Sequence, residues 1–138
     1  MAARYILLGA AVVIAAAILI PEPAGKKVYT VDEVIEAKES LEGQTLSVKG
    51  ETVKGSVMCT KMYCTDENPC CNICSSSVKL KGNKSIALEG EDIGCSGTNC
   101  EMNCTPTTGK RYIVTGILKQ QNSHPYIETS SLRRVNQK

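Results

Sequence analysis

Eight cysteines carry most of the chemistry open to this 138-residue chain, and they fall in two groups. Cys59, Cys64, Cys70, Cys71 and Cys74 form the first, and Cys95, Cys100 and Cys104 the second. Thiols at these spacings could be cross-linked, ligate a metal, or run thiol–disulfide exchange. The even count, the polar surroundings and an apolar amino-terminal stretch suit four disulfides in an exported domain. Five cysteines in one group and three in the other then require an odd number of bridges between the groups. The adjacent Cys70 and Cys71 must take different partners, because a bridge between neighbours strains the peptide. The alternative is a zinc or iron–sulfur centre on Cys71, Cys74, Cys100 and Cys104. Only Cys71-Asn72-Ile73-Cys74 has the tight spacing of a zinc pair, and Cys95-x₄-Cys100-x₃-Cys104 misses the plant-type ferredoxin run by one residue. A redox-active Cys71–Cys74 pair is a further alternative. Such pairs usually open a helix that lowers the thiol pKa, whereas Ser75-Ser76-Ser77 follows here and leads toward a strand. The disulfide reading, with no cofactor, is the expectation.

Few other residues suggest reactivity. His124 is the only histidine, and its place before Pro125 suits a surface turn. The sequence offers no Ser/His/Asp arrangement, no Gly-rich phosphate loop and no carboxylate pair in an apolar setting, so no enzymatic activity is expected. Glu89-Gly90-Glu91-Asp92 reads as an acidic turn, and Asn83-Lys84-Ser85 and Asn103-Cys104-Thr105 are glycosylation sequons. The net charge of +2 is unevenly spread: residues 105–138 hold six Lys or Arg and one acid, and residues 59–104 hold four Lys and six acids. Lys110, Arg111, Tyr112 and Tyr126 therefore mark a basic, aromatic-bearing surface that could hold a protein or an acidic glycan, against the plainer reading of a solvated face. An extracytoplasmic address argues against nucleic acid as the partner.

That address rests on the start of the chain. After Arg4, residues 5–20 carry no polar group except the Tyr5 hydroxyl. Tyr5, Ile6, Leu7, Leu8, Val12, Val13, Ile14, Ile18, Leu19 and Ile20 are the bulk of an anchor spanning about 24 Å as a helix, slightly short of a hydrocarbon core. Pro21-Glu22-Pro23 then stops any helix. The pattern predicts a signal anchor, or alternatively a cleaved signal peptide, over residues 1–25. The domain would be membrane-anchored or secreted, on the extracytoplasmic side. Residues 26–138 form that domain, with Cys-rich loops at 59–74 and 95–104 and, for want of Phe and Trp, a thin core.

Thr30-Val31-Asp32-Glu33 matches a capping box. Val31, Val34, Ile35 and Leu41 share a stripe, so a short amphipathic helix is expected over 31–41. The period then changes to two. Leu46 and Val48 alternate with polar residues up to Gly50, after which the apolar positions move to Val53 and Val57. That shift predicts a bend and a change of face at the glycine. Val78 with Leu80, and Ile86 with Leu88, mark a hairpin turning at Gly82-Asn83. The strand from Tyr112 to Leu118 is again interrupted by a glycine, Gly116. Asn122-Ser123-His124-Pro125 turns it into a last strand from Tyr126, which Leu132 to Val135 extends. The pattern predicts a mainly β fold. Two glycine-bent strands among five suit a small closed barrel, preceded by the amphipathic helix and the hydrophobic amino-terminal helix, with Val48, Val114 and Leu118 facing inward.

The helix start Thr30-Val31-Asp32-Glu33-Val34 and the strand Leu46-Ser47-Val48-Lys49-Gly50, echoed by Tyr112-Ile113-Val114-Thr115-Gly116, resemble the OB-fold, which implies a five-stranded Greek-key barrel. More narrowly, they resemble the small periplasmic proteins of the bacterial OB-fold (BOF) family, over residues 28–57 and 110–135. The two Cys-rich segments are not typical of that family. The resemblance implies an extracytoplasmic OB barrel that serves as a binding or interaction module. A second alternative follows from likeness to the membrane-anchored OB-fold haem chaperones, which would make the chain a periplasmic haem or metal chaperone. Those attach haem through a His near the end of the barrel, and His124 lacks their neighbouring Asp and Tyr pattern.

Overall fold

Thr30 ends a short strand and starts the first helix in one step. In the computed structural model, which describes residues 26–136, β1 (Val28–Thr30) runs straight into α1 (Val31–Glu36). The Glu33 N–H donates to Thr30 Oγ1 at 3.3 Å and the Thr30 N–H donates to the Glu33 carboxylate at 2.7 Å. This is the expected capping box, and the backbone bond from Thr30 holds the Glu33 carboxyl below its usual range. The helix expected over 31–41 is broken at Ala37, whose backbone (φ −101°, ψ 16°) leaves the helical region. The break turns the chain so that α2 (Lys38–Leu41) returns Leu41 to the core beside Val31 and Val34. Gly43, at φ +79°, then donates its N–H to the Leu118 carbonyl. The apolar segment read as an anchor lies outside the described residues. Among the described residues no helix is long and apolar enough to cross a membrane.

Seven further strands follow: β2 (Thr45–Cys59), β3 (Ile73–Lys81), β4 (Ser85–Glu89), β5 (Gly94–Thr98), β6 (Met102–Thr105), β7 (Arg111–Gln121) and β8 (His124–Arg134). All eight belong to one sheet, so the chain is mainly β. β2 pairs antiparallel with β7 from Thr45 to Glu51 and with β3 from Glu51 to Cys59. β3 pairs with β4, β4 lies parallel to β8, and β8 returns antiparallel to β7. The pairings thus run in a circuit through the five strands foreseen from the sequence. β1 lies outside it, parallel to β2, while β5 extends from β3 and β6 from β5.

Three strands are therefore additional to the expected five. β1 forms because the residues before the capping box continue beside β2. β5 and β6 form within a segment read as a loop: it is poor in apolar residues, but its backbone bonds and a cross-strand disulfide hold it as a hairpin. The Gly82 turn includes Lys84, with Lys81 facing Ser85. His124 opens β8 rather than lying in the turn, because Asn122 and Ser123, at φ 49° and 64°, complete a two-residue reversal with Gln121 facing His124.

The interior is aliphatic. Val48, Val78, Leu80, Val114, Leu118 and Ile127 are wholly buried, so Val48, Val114 and Leu118 face inward as expected. The face of β2 does not change at Gly50, however. Leu46, Val48 and Thr52 remain in one phase, and Thr52 is the one buried polar residue among those described. Its Oγ1 donates to the Thr107 carbonyl at 2.7 Å, and its N–H donates to the Lys110 carbonyl at 2.9 Å. The inward position is open to a hydroxyl because the next loop supplies acceptors. The irregularity of β2 lies further on, between Lys54 and Val57. In β7 the expected bend does fall at the glycine: the register against β8 shifts between Thr115 and Gly116, and a Cβ on Gly116 would run into the Glu128 carbonyl.

Asp32, in the first turn of α1, accepts hydrogen bonds from the N–H groups of Asn83 (3.1 Å) and Lys84 (3.0 Å), fastening the helix to the β3–β4 turn. Those two bonds hold its carboxyl below the ordinary value of 3.8.

Two predictions follow from this packing. Val114→Asp places an unpaired carboxylate in the aliphatic core and should cost several kcal/mol, whereas Lys49→Gln, on an exposed position, should leave a urea midpoint nearly unchanged. Asp32 contributes stability that is full above pH 3.8 and is lost as pH falls through its lower folded pKa. Asp32→Asn should therefore be less stable than the parent at neutral pH, and denaturation curves should converge on the acid side. Parallel curves at all pH values would contradict the role given to the carboxylate.

Candidate functional site

All eight cysteines are in disulfides. Cys59–Cys74 joins facing residues of β2 and β3, and Cys95–Cys104 joins facing residues of β5 and β6, each with Cα atoms 4.0 Å apart. That is the close approach of the narrower antiparallel pair type. Cys64–Cys71 closes the loop between β2 and β3, and Cys70–Cys100 ties that loop to the β5–β6 turn. One bridge therefore connects the two groups, and Cys70 and Cys71 take different partners, as expected.

Cys71 is bonded to Cys64 and Cys74 to Cys59, so Cys71 and Cys74 do not form a disulfide with each other. Cys100 and Cys104 are likewise bonded to Cys70 and Cys95. Metal ligation needs thiolate, and the sulfurs of all four are in bonds. Among the described residues no group of three or more His, Cys, Asp or Glu side chains is placed to hold a metal, and this covers the acidic turn at Glu89. His124 is exposed, with Nδ1 2.8 Å from the Asn122 carbonyl oxygen.

Two asparagines do in the Cys-rich head what a core would do elsewhere. Asn72 accepts from the Met62 N–H at 2.6 Å and from Thr60 Oγ1 at 3.1 Å, and its Nδ2 donates to the Met62 carbonyl at 3.1 Å. Asn99 donates to the Pro69 carbonyl at 2.9 Å and accepts from the Asn72 N–H at 3.1 Å. These bonds repeat in polar form the link made by Cys70–Cys100. Met58, Met62, Tyr63 and Ile73 are left exposed on the head.

The carboxy-terminal surface is not one platform. Tyr112 belongs to the hydrophobic core, because its position shares the inward phase of Val114. Tyr126 is half-buried and faces Lys119, seven positions along β7 from Tyr112 and about 23 Å away at strand rise. Lys119 donates to Glu128 in an ion pair that raises the lysine pKa. Lys110 and Arg111 are exposed and gather with Arg134 in a cavity of about 380 Å³, where Glu51 offsets part of their charge.

A more strongly charged hollow lies across β2, β3 and the β3–β4 turn. It has a volume of about 450 Å³ and is lined by Lys54, Lys79, Lys81 and Lys84, with Ser56, Asn83 and Ser85 among its polar neighbours and no carboxylate in its wall. Lys79 and Lys81 alternate with the buried Val78 and Leu80, so the strand phase points them outward. Lys79 is half-buried because its stem packs across Gly55, where a Cβ would lie 3.3 Å from Lys79 Cε. The Lys84 side chain lies near Asp32, although the bonds to that carboxylate come from backbone N–H groups. Among the described residues the ion pairs are Lys27–Glu33 and Lys119–Glu128, so none involves these four lysines. Summing charge over residues 59–104 concealed this cluster. The signal available was narrower: residues 68–88 contain Lys79, Lys81 and Lys84 and no acid.

Non-reduced peptide mapping should recover Cys70 linked to Cys100 and Cys71 linked to Cys64, and any Cys71–Cys74 linkage would contradict the pairing. In a chain-entropy account the 30-residue separation of Cys70–Cys100 is worth about 3.6 kcal/mol, against about 2.3 kcal/mol for the 7 residues of Cys64–Cys71. Replacing both members of the first pair by Ala should therefore lower stability more than replacing both members of the second.

No family model matches the chain, and neither does any curated protein or solved structure.

Proposed function

We propose that this chain is an exported, disulfide-stapled binding module built on an OB barrel of the BOF kind, working by association rather than catalysis. The observation that carries this reading is the complete pairing of the eight cysteines, which suits an oxidising compartment. The cyclic strand order supports the barrel. Five strands pair in the circuit β2–β3–β4–β8–β7–β2, with β4 and β8 the parallel pair within it, and this order supports the OB Greek-key reading. The transfer of β2 from one partner strand to another at Gly50–Glu51, and the bend of β7 at Gly116, are what such a barrel requires of its long strands. In place of a helix between β4 and β7, the β5–β6 hairpin extends the sheet into the Cys-rich head.

The apolar segment 5–20 is assigned as the tether or export signal, with the barrel on the extracytoplasmic side and a protein or acidic glycan as its partner. The interior is aliphatic, so the groups the domain offers to a partner are surface groups.

A reporter that folds only in an oxidising compartment, fused after Lys138, should be active, and deletion of residues 1–25 should abolish its activity. A fusion whose activity survives that deletion, or a full-length fusion that is made but inactive, would overturn the exported reading.

A further inference from the structure

We infer that the hollow formed by Lys54, Lys79, Lys81 and Lys84 is a binding site for a linear polyanionic glycan, a chain of sugars bearing sulfate, phosphate or carboxylate groups. The inference rests on the binding-module reading for its compartment, and on the geometry of the hollow for its chemistry. Four lysines line one 450 Å³ hollow with no carboxylate among its lining residues; Glu51 faces Lys81 across the ladder and Asp32 lies beside Lys84, yet none of the four lysines is in an ion pair among the described residues. Like charges so placed repel one another, and an anion with several charges removes that repulsion at several points at once. Lysine supplies compact point charges rather than the flat fork of arginine, so the hollow selects for charge and spacing more than for one bidentate group.

Three further features choose the glycan among polyanions. No aromatic residue lines the hollow, so it has no surface on which nucleobases could stack, whereas single-strand binders depend on such stacking. Ser56, Asn83 and Ser85 stand among the lysines, and their hydroxyl and amide groups suit sugar hydroxyls. The walls are also fixed. Lys79 faces Val53 and Lys81 faces both Glu51 and Ser85 across the ladders, while Asp32 clamps the turn that carries Lys84 through two backbone bonds. The backbone that carries the charges is thus held in paired strands and a bonded turn before any ligand arrives, so binding has to order only the side chains.

The test uses the full-length oxidised protein in detergent, with heparin as the sulfated-glycan probe. Binding is measured by calorimetry over a series of salt concentrations. The expected result is saturable binding that weakens with salt. The triple variant Lys79→Gln/Lys81→Gln/Lys84→Gln should bind at least tenfold more weakly and with a shallower salt dependence, because fewer counter-ions are released. A matched variant, Lys110→Gln/Arg111→Gln/Arg134→Gln, removes the same charge from the other cleft and should change affinity less than threefold. Thermal melts of both variants report whether they are folded. Equal losses in the two variants would show a response to net charge alone and overturn the site. Tighter binding to an oligothymidylate of matched charge, or binding to phosphatidylglycerol vesicles without binding to heparin, would overturn the glycan assignment. If the reporter fusion demonstrates export and heparin does not bind, this inference falls and the exported-module reading stands. If the fusion is cytosolic, the compartment argument falls with it.

Discussion

The double pairing of β2 is the constraint on which the rest of the structure depends. One strand bonds to β7 along its first half and to β3 along its second, and the exchange occurs at Gly50 and Glu51. Space there is short: a Cβ on Gly50 would lie 3.0 Å from Val31 Cγ2 and 3.2 Å from the Lys81 carbonyl oxygen. The missing side chain lets α1, β2 and β3 meet at one point. Without that meeting the circuit of pairings would open between β2 and β3, the aliphatic residues of β3 and β4 would lose the facing wall supplied by β2 and β7, and the lysines of β3 would keep only β4 beside them.

A chain without Phe or Trp closes only a small volume in this way. The buried set is Val, Leu and Ile with Tyr112 as its one aromatic, and it serves the circuit and α1 but not the head beyond Cys59. The head is stabilised by other means. Cross-strand disulfides at Cys59–Cys74 and Cys95–Cys104 sit at its base, and Cys95 and Cys104 pack on the core. Further out, Cys64–Cys71, Cys70–Cys100 and the amide bonds of Asn72 and Asn99 replace burial altogether. Apolar burial grows with enclosed volume, while a cross-link acts by restricting the unfolded chain, so it can hold a segment that encloses nothing. That difference explains why the cysteines fall outside the β2–β7 and β7–β8 ladders, which pack well without them.

Features set by local chemistry were legible in the residues, and features set by distant contacts were not. The capping box at Thr30, the inward phase of Val48, Val114 and Leu118, the bend at Gly116 and the odd number of bridges between the cysteine groups all follow from neighbouring side chains or from counting. Nothing local in the residues marks the break at Ala37, because it serves the return of Leu41 to a core assembled from other strands. Thr52 misled the phase of β2: a threonine reads as an outward residue, and the carbonyls of Thr107 and Lys110 that accept it lie more than fifty residues away. Tyr112 misled in the opposite sense. Its hydroxyl and its basic neighbours suggested a ligand surface, whereas the strand phase it shares with Val114 buries it.

The same phase rule accounts for the lysine hollow. A segment-wide charge sum averages over loops that project in different directions, and the acids of residues 59–104 lie before Asn68 or after Leu88. On a strand, direction is fixed residue by residue: once Val78 and Leu80 are inside, Lys79 and Lys81 are outside. β2 then supplies the opposite wall through the Val53–Lys79 and Glu51–Lys81 registers, and Gly55 leaves room for the Lys79 stem to lie across it. Glu51 stands in register between Lys81 on β3 and Arg111 on β7 and also lines the neighbouring cleft with Arg111 and Arg134, so the cluster shares this carboxylate with a second set of cations. The distribution of charge on this surface is therefore a consequence of where β2 changes partners. The strand exchange that closes the circuit also places the one nearby carboxylate of β2 between Lys81 on β3 and Arg111 on β7.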